Sequence, residues 1–285
     1  MLKTAAGLIR LMRPKHWVKN IFVLAPLIFS GRFNEFDSNV RTLGALAAFC
    51  LIASASYVLN DIFDVADDRK HPTKRLTRPI AAGVVSVPAA WTLFGLLLAA
   101  TSALLVTMPK IAPIIGGYFA LQLAYNFFLK RQPVIDIFTI AVGFVLRVYA
   151  GAYSIEVPVS KWMFVTTFSL AIFLASVKRF QELKTHGDAS RAVLGKYSPA
   201  FTQRVAEISG TLAVVFYSFF TLTSRPAFIY TIPVVIFVLV RYWFVADKAG
   251  AGESPTDLIL RDWQLMAAAG VLAILFAVSL LGALG

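Results

Sequence analysis

Long apolar runs separated by short polar segments make up almost the whole chain. Since a helix that crosses a membrane requires about 20 mostly apolar residues, the pattern predicts transmembrane helices at residues 19–30, 42–60, 87–107, 111–129, 134–152, 160–178, 204–223, 226–245 and 263–283. The first run is short, follows Pro14 and contains Lys19, so we expect it to begin at the membrane surface and tilt inward. The prediction is an all-α integral membrane protein, a single bundle of about nine transmembrane helices over residues 1–285.

The N-terminal segment, residues 1–18, has a different pattern. Its basic residues Lys3 and Arg10 are spaced among apolar side chains, which are Leu2, Leu8, Ile9, Leu11 and Met12. Basic residues among apolar ones at helical spacing are typical of a helix that lies on a membrane surface. We therefore predict an interfacial helix before the first transmembrane segment.

Composition agrees with this architecture, because 58% of the 285 residues are hydrophobic and only 15% are charged. Such values exclude a soluble globular domain.

Segments that remain in the cytoplasm carry the excess of Lys and Arg, and an N-terminus inside places most of the 27 Lys and Arg residues there. The exceptions are Arg147, inside the fifth predicted helix, and an outer group made of Arg32, Arg41, Lys110, Lys161 and Arg225. The N-terminus and the basic loops are thus predicted to be cytoplasmic.

The acidic residues concentrate on the same predicted face. Only Glu35, Asp37 and Glu156 fall on the outer side. Membrane orientation requires cations alone, so the acids indicate a polar site at the cytoplasmic face. The excess of positive charge there would attract anionic substrates or anionic lipid headgroups. Solvated loops would explain the basic residues but not the acidic ones.

One hydrophilic segment, LNDIFDVADDRKHPTKRLTRPIAAG at residues 59–83, interrupts the apolar pattern. If the second predicted helix continues through it, Asn60, Asp64, Asp67 and Asp68 lie within about a third of the helix circumference, and Asp61 stands beside them. Clustered carboxylates suit Mg²⁺, which takes one or two of them and completes its shell with water and phosphate oxygens. The segment predicts a Mg²⁺ site and a diphosphate substrate. The alternative is a solvated loop in which aspartates cluster by chance.

The fifth predicted helix carries a polar stripe in which Asp136, Ile140, Gly143 and Arg147 share one face. A charged residue within a membrane marks a pathway, an ion pair or a ligand. The alternative for Arg147 is a structural pair with an acid from another helix. The histidines, in contrast, are scattered at His16, His71 and His186, without the spacing of a base dyad or a metal site.

The segment Asn60-Asp61-x-x-Asp64-x-x-x-Asp68, followed by RPIAAG at residues 78–83, resembles the first signature of the UbiA superfamily of intramembrane prenyltransferases. Further stretches are similar to one branch of that superfamily, the decaprenyl-phosphate phosphoribosyltransferases. They are RPKHWVKNIFVLAPL, HPTKRLTRPIAAG, AYNFFLKRQPVIDIF, GFVLRVYAGA, KRFQE and ESPTDLILRD, in order from about residue 13 to residue 265.

The resemblance implies a nine-helix UbiA-like bundle with cytoplasmic active-site loops at residues 60–86 and 178–203 over a central cavity. It implies a Mg²⁺-dependent enzyme of a prokaryotic plasma membrane that transfers phosphoribose from phosphoribosyl pyrophosphate to a polyprenyl phosphate, for the arabinogalactan of the cell wall. No nucleic acid partner is expected. Asn60, Asp64 and Asp68 would be catalytic and would hold the metal. The expected substrate contacts are Lys19, Asp61, Lys74, Arg75, Arg78, Tyr125, Lys130, Arg147, Lys178, Arg179 and Glu182.

The loop after the sixth predicted helix departs from the aromatic prenyltransferases of the superfamily, which carry a second Asp-rich motif there. This loop offers Glu182 and Asp188 among many cations, so we expect it to hold anions, with Lys178 and Arg179 as the leading candidates. For the other cations, Lys184, Arg191 and Lys196, a loop that is merely positive inside is an equal alternative.

Several alternatives remain open at the level of sequence. Tyr125 could equally belong to an interfacial aromatic belt, and Asp257 and Asp262 could cap the last helix. A different enzyme, a prenyltransferase that joins a prenyl diphosphate to a 4-hydroxybenzoate-like acceptor, is the second candidate. A carrier for an anionic lipid is the third, although the internal repeats typical of carriers are not evident.

Overall fold

The computed structural model describes residues 2–186, 194–248 and 261–282, and within these ranges the chain is helical and contains no β-strand. Asp188, Arg191 and Asp257, which the sequence singled out, lie outside the described residues. The α-helices of the described ranges are α1 (Leu2–Met12), α2 (Ala25–Ser30), α3 (Phe36–Phe63), α4 (Val65–Lys70), α5 (Lys74–Thr77), α6 (Val87–Thr107), α7 (Ala112–Phe127), α8 (Ile135–Ser154), α9 (Lys161–His186), α10 (Pro199–Ser224), α11 (Ile232–Lys248) and α12 (Trp263–Gly282).

Seven helical segments in the described ranges are long and apolar enough to cross a membrane: Phe36–Phe63, Val87–Thr107, Ile135–Ser154, Lys161–Lys184, Pro199–Ser224, Pro226–Lys248 and Trp263–Leu280. Each corresponds to one of the predicted spans. The two other predicted spans are helical but shorter. At 19–30 the chain forms a 3-10 helix, Pro14–Leu24, followed by α2, and at 111–129 it forms α7, which ends at Phe127. The all-α membrane bundle is thus confirmed, and nine is an approximate helix count.

The ends of the helices follow local sequence signals. Ser86 precedes α6, and its hydroxyl accepts a hydrogen bond from the backbone N–H of Ala89. Ser198 does the same for Phe201 at the start of α10. A serine in this position satisfies a backbone donor that the first helical turn leaves without a partner.

The described contacts group the chain into two compact units. The first unit comprises residues 1–127 and 146–158, and α3 is its central helix. The apolar part of α3 is 67% buried, whereas that of α6 is 17% buried. Helix α3 packs against α1, α6, α7 and the 3-10 segment Pro14–Leu24. A helix that is apolar on every side is expected at such a central position.

Within the first unit, the second half of α8 approaches the 3-10 segment Pro14–Leu24 very closely. A Cβ atom added at Gly151 would overlap the carbonyl oxygen of Val23. Small residues at helix contacts allow backbones to approach in this way inside membranes. Gly151 therefore sets the distance between α8 and that segment.

The second unit comprises residues 128–145 and 159–285. Its main contact joins α9 to α10, and α11 packs against α12. Phe173, Val177, Ala206 and Tyr242 form part of its buried apolar cluster. Gly210 on α10 leaves room for the ring of Phe173.

Candidate active site

The predicted metal residues lie on successive turns where α3 passes into α4. The backbone N–H of Asp64 bonds to the carbonyl of Asn60 at 2.9 Å, and that of Asp68 bonds to Asp64 at 2.8 Å. This i to i+4 pattern keeps the three side chains on one side of the helix. The Asn60 amide also donates to a carboxylate oxygen of Asp64 at 2.9 Å. Asp68 is buried and lies 3.3 Å from the ammonium group of Lys74.

The donor set at this position fits Mg²⁺. It offers two carboxylates, from Asp64 and Asp68, and the amide oxygen of Asn60. Among the described residues, no three His, Cys, Asp or Glu side chains converge to form a complete metal site. Mg²⁺ usually takes only one or two carboxylates and leaves the remaining positions to water and substrate phosphates. The set is therefore suited to a metal that arrives with its substrate.

Asp61 has a different environment, although it is adjacent to Asn60. Its side chain is 2% exposed, and its Oδ1 atom accepts hydrogen bonds from the guanidinium groups of Arg13 and Arg78. Both groups contact the same oxygen, Arg13 at 2.5 Å and Arg78 at 2.8 Å. The structure thus assigns Asp61 to two ion pairs, and it brings Arg13, a residue outside the predicted site, into this cluster.

A tight turn between α1 and the 3-10 segment positions Arg13. Its backbone is left-handed, with φ 51° and ψ 59°, which is unfavourable for a residue with a Cβ atom. The buried hydroxyl of Ser54 donates to the carbonyl of Met12 and accepts from the indole of Trp17, each at 3.0 Å. The Arg13 guanidinium also lies over the ring of Tyr57, 4.8 Å from its centroid.

The predicted cations at residues 74–78 are more exposed than Asp61. Arg78 follows α5 and is 27% exposed, Lys74 is 45% exposed, and Arg75 is exposed. After Arg78 the chain turns back, with the N–H groups of Val84 and Val85 bonded to the carbonyl of Pro79. Gly83 has φ 72° in this turn, a conformation that glycine adopts readily.

Arg147 is buried in the first unit at 5% exposure, as its position on the polar stripe predicts. It donates to the side chain of Asn20 at 2.8 Å and to the hydroxyl of Tyr118 at 2.9 Å. Its guanidinium lies 5.5 Å from the ring centroid of Phe49. Lys19, half-buried beside Asn20 in the sequence, and Tyr125, half-buried on α7, belong to the same unit.

The predicted site residues of the second unit form a separate buried network around Asp136, which is 0% exposed. Asp136 accepts hydrogen bonds from Arg179 at 2.9 Å and from the hydroxyl of Tyr197 at 2.5 Å. Arg179 is 1% exposed and also donates to Glu182 at 2.7 Å. Burial and the bond to Asp136 raise the pKa of Tyr197 above its usual value.

Other predicted residues of the second unit lie nearer the surface. Lys178 is 38% exposed with its ammonium 4.0 Å from Glu182, and Lys130 is half-buried in a short 3-10 turn. Asp262 caps α12, because its carboxylate accepts from the N–H of Leu265 at 3.0 Å. Hydrogen bonds from Arg241 lower the pKa of Asp262. The capping alternative for Asp262 thus has direct support.

Four residues in the contacts around Asp61 and Arg147 were not revealed by the sequence: Arg13, Ser54, Asn20 and Tyr118. Arg13 is 48 residues from Asp61, and Asn20 is 127 residues from Arg147. Pairs at such separations leave no periodic signal. The one sequence clue was the position of Arg13 at the start of the RPKHW stretch, directly before a proline.

Comparison with known proteins finds relatives that match most of the chain. The decaprenyl-phosphate phosphoribosyltransferase of Mycolicibacterium smegmatis is 36% identical over 280 residues, which cover 90% of this chain and 87% of that protein. The protein of the same name from Corynebacterium glutamicum is 37% identical over 290 residues, covering 96% and 87%.

Solved structures support the fold. A UbiA homolog from Archaeoglobus fulgidus bound to GPP and Mg²⁺ superposes with a TM-score of 0.71 at 20% identity, covering 96% of this chain and 98% of that one. The model of the UbiA prenyltransferase family matches residues 21–256. Because that match spans most of the sequence and the curated relatives exceed 30% identity, the chain belongs to the UbiA prenyltransferase family.

Proposed function

We propose that this protein transfers 5-phosphoribose from phosphoribosyl pyrophosphate to a polyprenyl phosphate, such as decaprenyl phosphate, and releases pyrophosphate. The observation that carries the proposal is the identity of 36% and 37% to two phosphoribosyltransferases over 87% of their length. The cluster at the end of α3 supports it, because oxygen ligands for a cation and guanidinium groups for phosphates occur in one unit.

Asn60, Asp64 and Asp68 would hold Mg²⁺, as their donor atoms allow. When bound, the ion would supply positive charge that stabilises pyrophosphate as a leaving group. Lys74, beside Asp68, would add a further cation near the departing phosphates. These residues would therefore act on the leaving group and not on the nucleophile.

The nucleophile requires no base. An oxygen of the lipid phosphate, anionic near neutral pH, attacks C1 of the ribose. The bond between C1 and the pyrophosphate oxygen breaks as the new C1–O bond forms. Two of the histidines agree with this scheme: His16 packs edge-on against Tyr57, and the His71 ring accepts a hydrogen bond from the backbone N–H of Thr73.

The orientation of the protein belongs to the same proposal. The distribution of Lys and Arg favours a cytoplasmic location for the N-terminus and for the polar segment 59–83. Phosphoribosyl pyrophosphate would then reach the site from the cytoplasm, and the lipid from the membrane. The product would be a ribose-phosphate lipid, a precursor for arabinan in the cell wall.

The test uses purified full-length protein in detergent with Mg²⁺, labelled phosphoribosyl pyrophosphate and decaprenyl phosphate. We expect label to enter the lipid phase together with release of pyrophosphate, and EDTA to abolish both. A parallel reaction contains geranyl diphosphate and 4-hydroxybenzoate. If only this second reaction gives product, the phosphoribosyl proposal is wrong and the protein is an aromatic prenyltransferase.

A further inference from the structure

Contacts with one face of α3 hold the turn that contains Arg13, residues 12–17. Ser54, Tyr57 and Asp61 lie within about 60° around that helix, and all three contact the turn formed by residues 12–17. Ser54 forms hydrogen bonds with Met12, before Arg13, and with Trp17, after it. Tyr57 lies under the Arg13 guanidinium, and Asp61 forms an ion pair with that group. Three separate contacts thus hold an unfavourable backbone conformation at a single arginine. The arrangement fixes the position of the Arg13 charge.

That charge lies beside a second one. Arg13 and Arg78 contact the same oxygen of Asp61, so two guanidinium groups lie close together with one carboxylate between them. Asp61 is the only hydrogen-bond acceptor for either guanidinium within the described part of the chain. One carboxylate leaves an excess of positive charge, and like charges at this distance repel each other. A second anion would relieve that repulsion.

The accessible sides of the two arginines suit a phosphate. Asp61 is 2% exposed, whereas the side chains of Arg13 and Arg78 are 18% and 27% exposed. The carboxylate therefore occupies the inner side of the pair and leaves donors available on the outer side. Planar guanidinium groups bind phosphate oxygens through paired hydrogen bonds, with a geometry that lysine does not match.

We infer that Arg13 and Arg78 form a binding site for a phosphate monoester, with Asp61 as the residue that positions both. This inference rests on the proposed function for the identity of the ligand, since both substrates carry such a group: the 5-phosphate of the donor and the phosphate of the lipid. The pyrophosphate of the donor would be held separately, by Asn60, Asp64 and Asp68. Arg13 thereby becomes a substrate-binding residue.

The experiment compares Arg13→Ala, Arg13→Lys and Asp61→Asn with the matched control Arg10→Ala, an exposed arginine on α1 just before the turn. For each full-length variant, kcat and the KM of both substrates are measured. We expect Arg13→Ala to raise the KM of one substrate about tenfold or more, with kcat changed much less, because a charge-assisted contact is lost. Asp61→Asn should raise the same KM, and the KM of Arg13→Lys should lie between those of Arg13→Ala and wild type.

Two measurements distinguish the 5-phosphate of the donor from the phosphate of the lipid as the bound group. If Arg13 binds the donor, the effect of Arg13→Ala on KM should vanish with ribose 1-pyrophosphate, which lacks the 5-phosphate. If Arg13 binds the lipid, the KM of polyprenyl phosphate should rise instead. Either result supports the site. Unchanged KM values for both substrates, or a fall in kcat that only follows the loss of folded protein, would overturn the inference.

A measurement without turnover separates this inference from the proposed function. Inorganic phosphate should raise the unfolding temperature of wild type and Arg10→Ala, and this protection should be lost in Arg13→Ala. Protection that depends on Arg13, in a wild type that transfers no phosphoribose, would reject the proposed function and keep the phosphate site. Equal protection of all variants would reject the site.

Discussion

Asp61 and Asp64 are three residues apart at the end of α3, yet their surroundings differ. Asp61 is buried between two arginines, whereas Asp64 is half-buried and contacts the amide of Asn60. A carboxylate that already neutralises two guanidinium groups is a poor ligand for an additional cation. The two aspartates of one sequence motif are therefore expected to have separate roles, Asp61 in positioning arginines and Asp64 in binding the metal.

The role of Asp64 is open to a direct test by Asp64→Asn. The asparagine can still accept the hydrogen bond from Asn60, so the unfolding temperature should change little. Transfer activity should fall by about 100-fold or more, because a charged metal ligand is lost. Asp67→Asn, at an exposed carboxylate on α4, is the matched control and should remain active. Wild-type activity of Asp64→Asn in Mg²⁺ would contradict the metal assignment.

Arg147 offers a second test, in the buried part of the first unit. Arg147→Leu should lower the free energy of unfolding by about 3 kcal/mol, because Asn20 and Tyr118 lose a charged partner in a buried site. It should also reduce activity more than Arg225→Leu. Thermal unfolding and transfer assays in detergent measure both quantities. Equal behaviour of the two variants would show that the Arg147 cluster contributes little.

At the scale of elements, the contact between α8 and the 3-10 segment Pro14–Leu24 depends on the absence of a side chain at Gly151. Gly151→Ala should destabilise the protein by about 2 kcal/mol, since the new Cβ would overlap a backbone carbonyl. Gly116→Ala, in the middle of α7 with open space around it, should be neutral or stabilising by up to about 1 kcal/mol. The unfolding temperatures of the two variants and of wild type measure these changes in stability. A Gly151→Ala protein as stable as wild type would mean that the segment moves aside.

The sequence predicted those elements whose signal lies within one segment. The long helices follow from runs of apolar residues, and the common face of Asn60, Asp64 and Asp68 follows from the helical period. The segment at 19–30 differs because Lys19 and Asn20 lie in a 3-10 helix, where Asn20 contacts Arg147. Such a tertiary contact is not visible in local hydropathy.

Contacts between distant segments account for the differences at the candidate site. Arg179 is a cation near a helix end, and the sequence predicted contact with substrate. In the structure it is buried between Asp136 and Glu182, and Asp136 precedes it by 43 residues. A role for Arg179 in substrate binding stays a prediction, and its two carboxylate partners favour a structural contribution. Nothing in the local sequence identifies Asp136 as its partner.

At the scale of the whole molecule, the orientation in the membrane is the main prediction. Helix α3 has 28 residues and is about 42 Å long, so its two ends should lie on opposite sides of the membrane. With Cys50 replaced by serine, single cysteines at Asn34 and Lys70 would report the two sides. A membrane-impermeant maleimide should label position 34 in intact cells and position 70 only in inverted vesicles. The opposite pattern would reverse the orientation and place the polar segment outside.

The left-handed backbone of Arg13 implies a trade-off between stability and activity. Glycine adopts this conformation at no steric cost, whereas other residues pay about 1 kcal/mol. Arg13→Gly should therefore unfold at a higher temperature than Arg13→Ala, although both lack the guanidinium. If the arginine is present for binding, selection has kept a residue that its own backbone disfavours. Glycine at this position would relieve the backbone strain, but it would lose the pair with Asp61 and the donors for the phosphate.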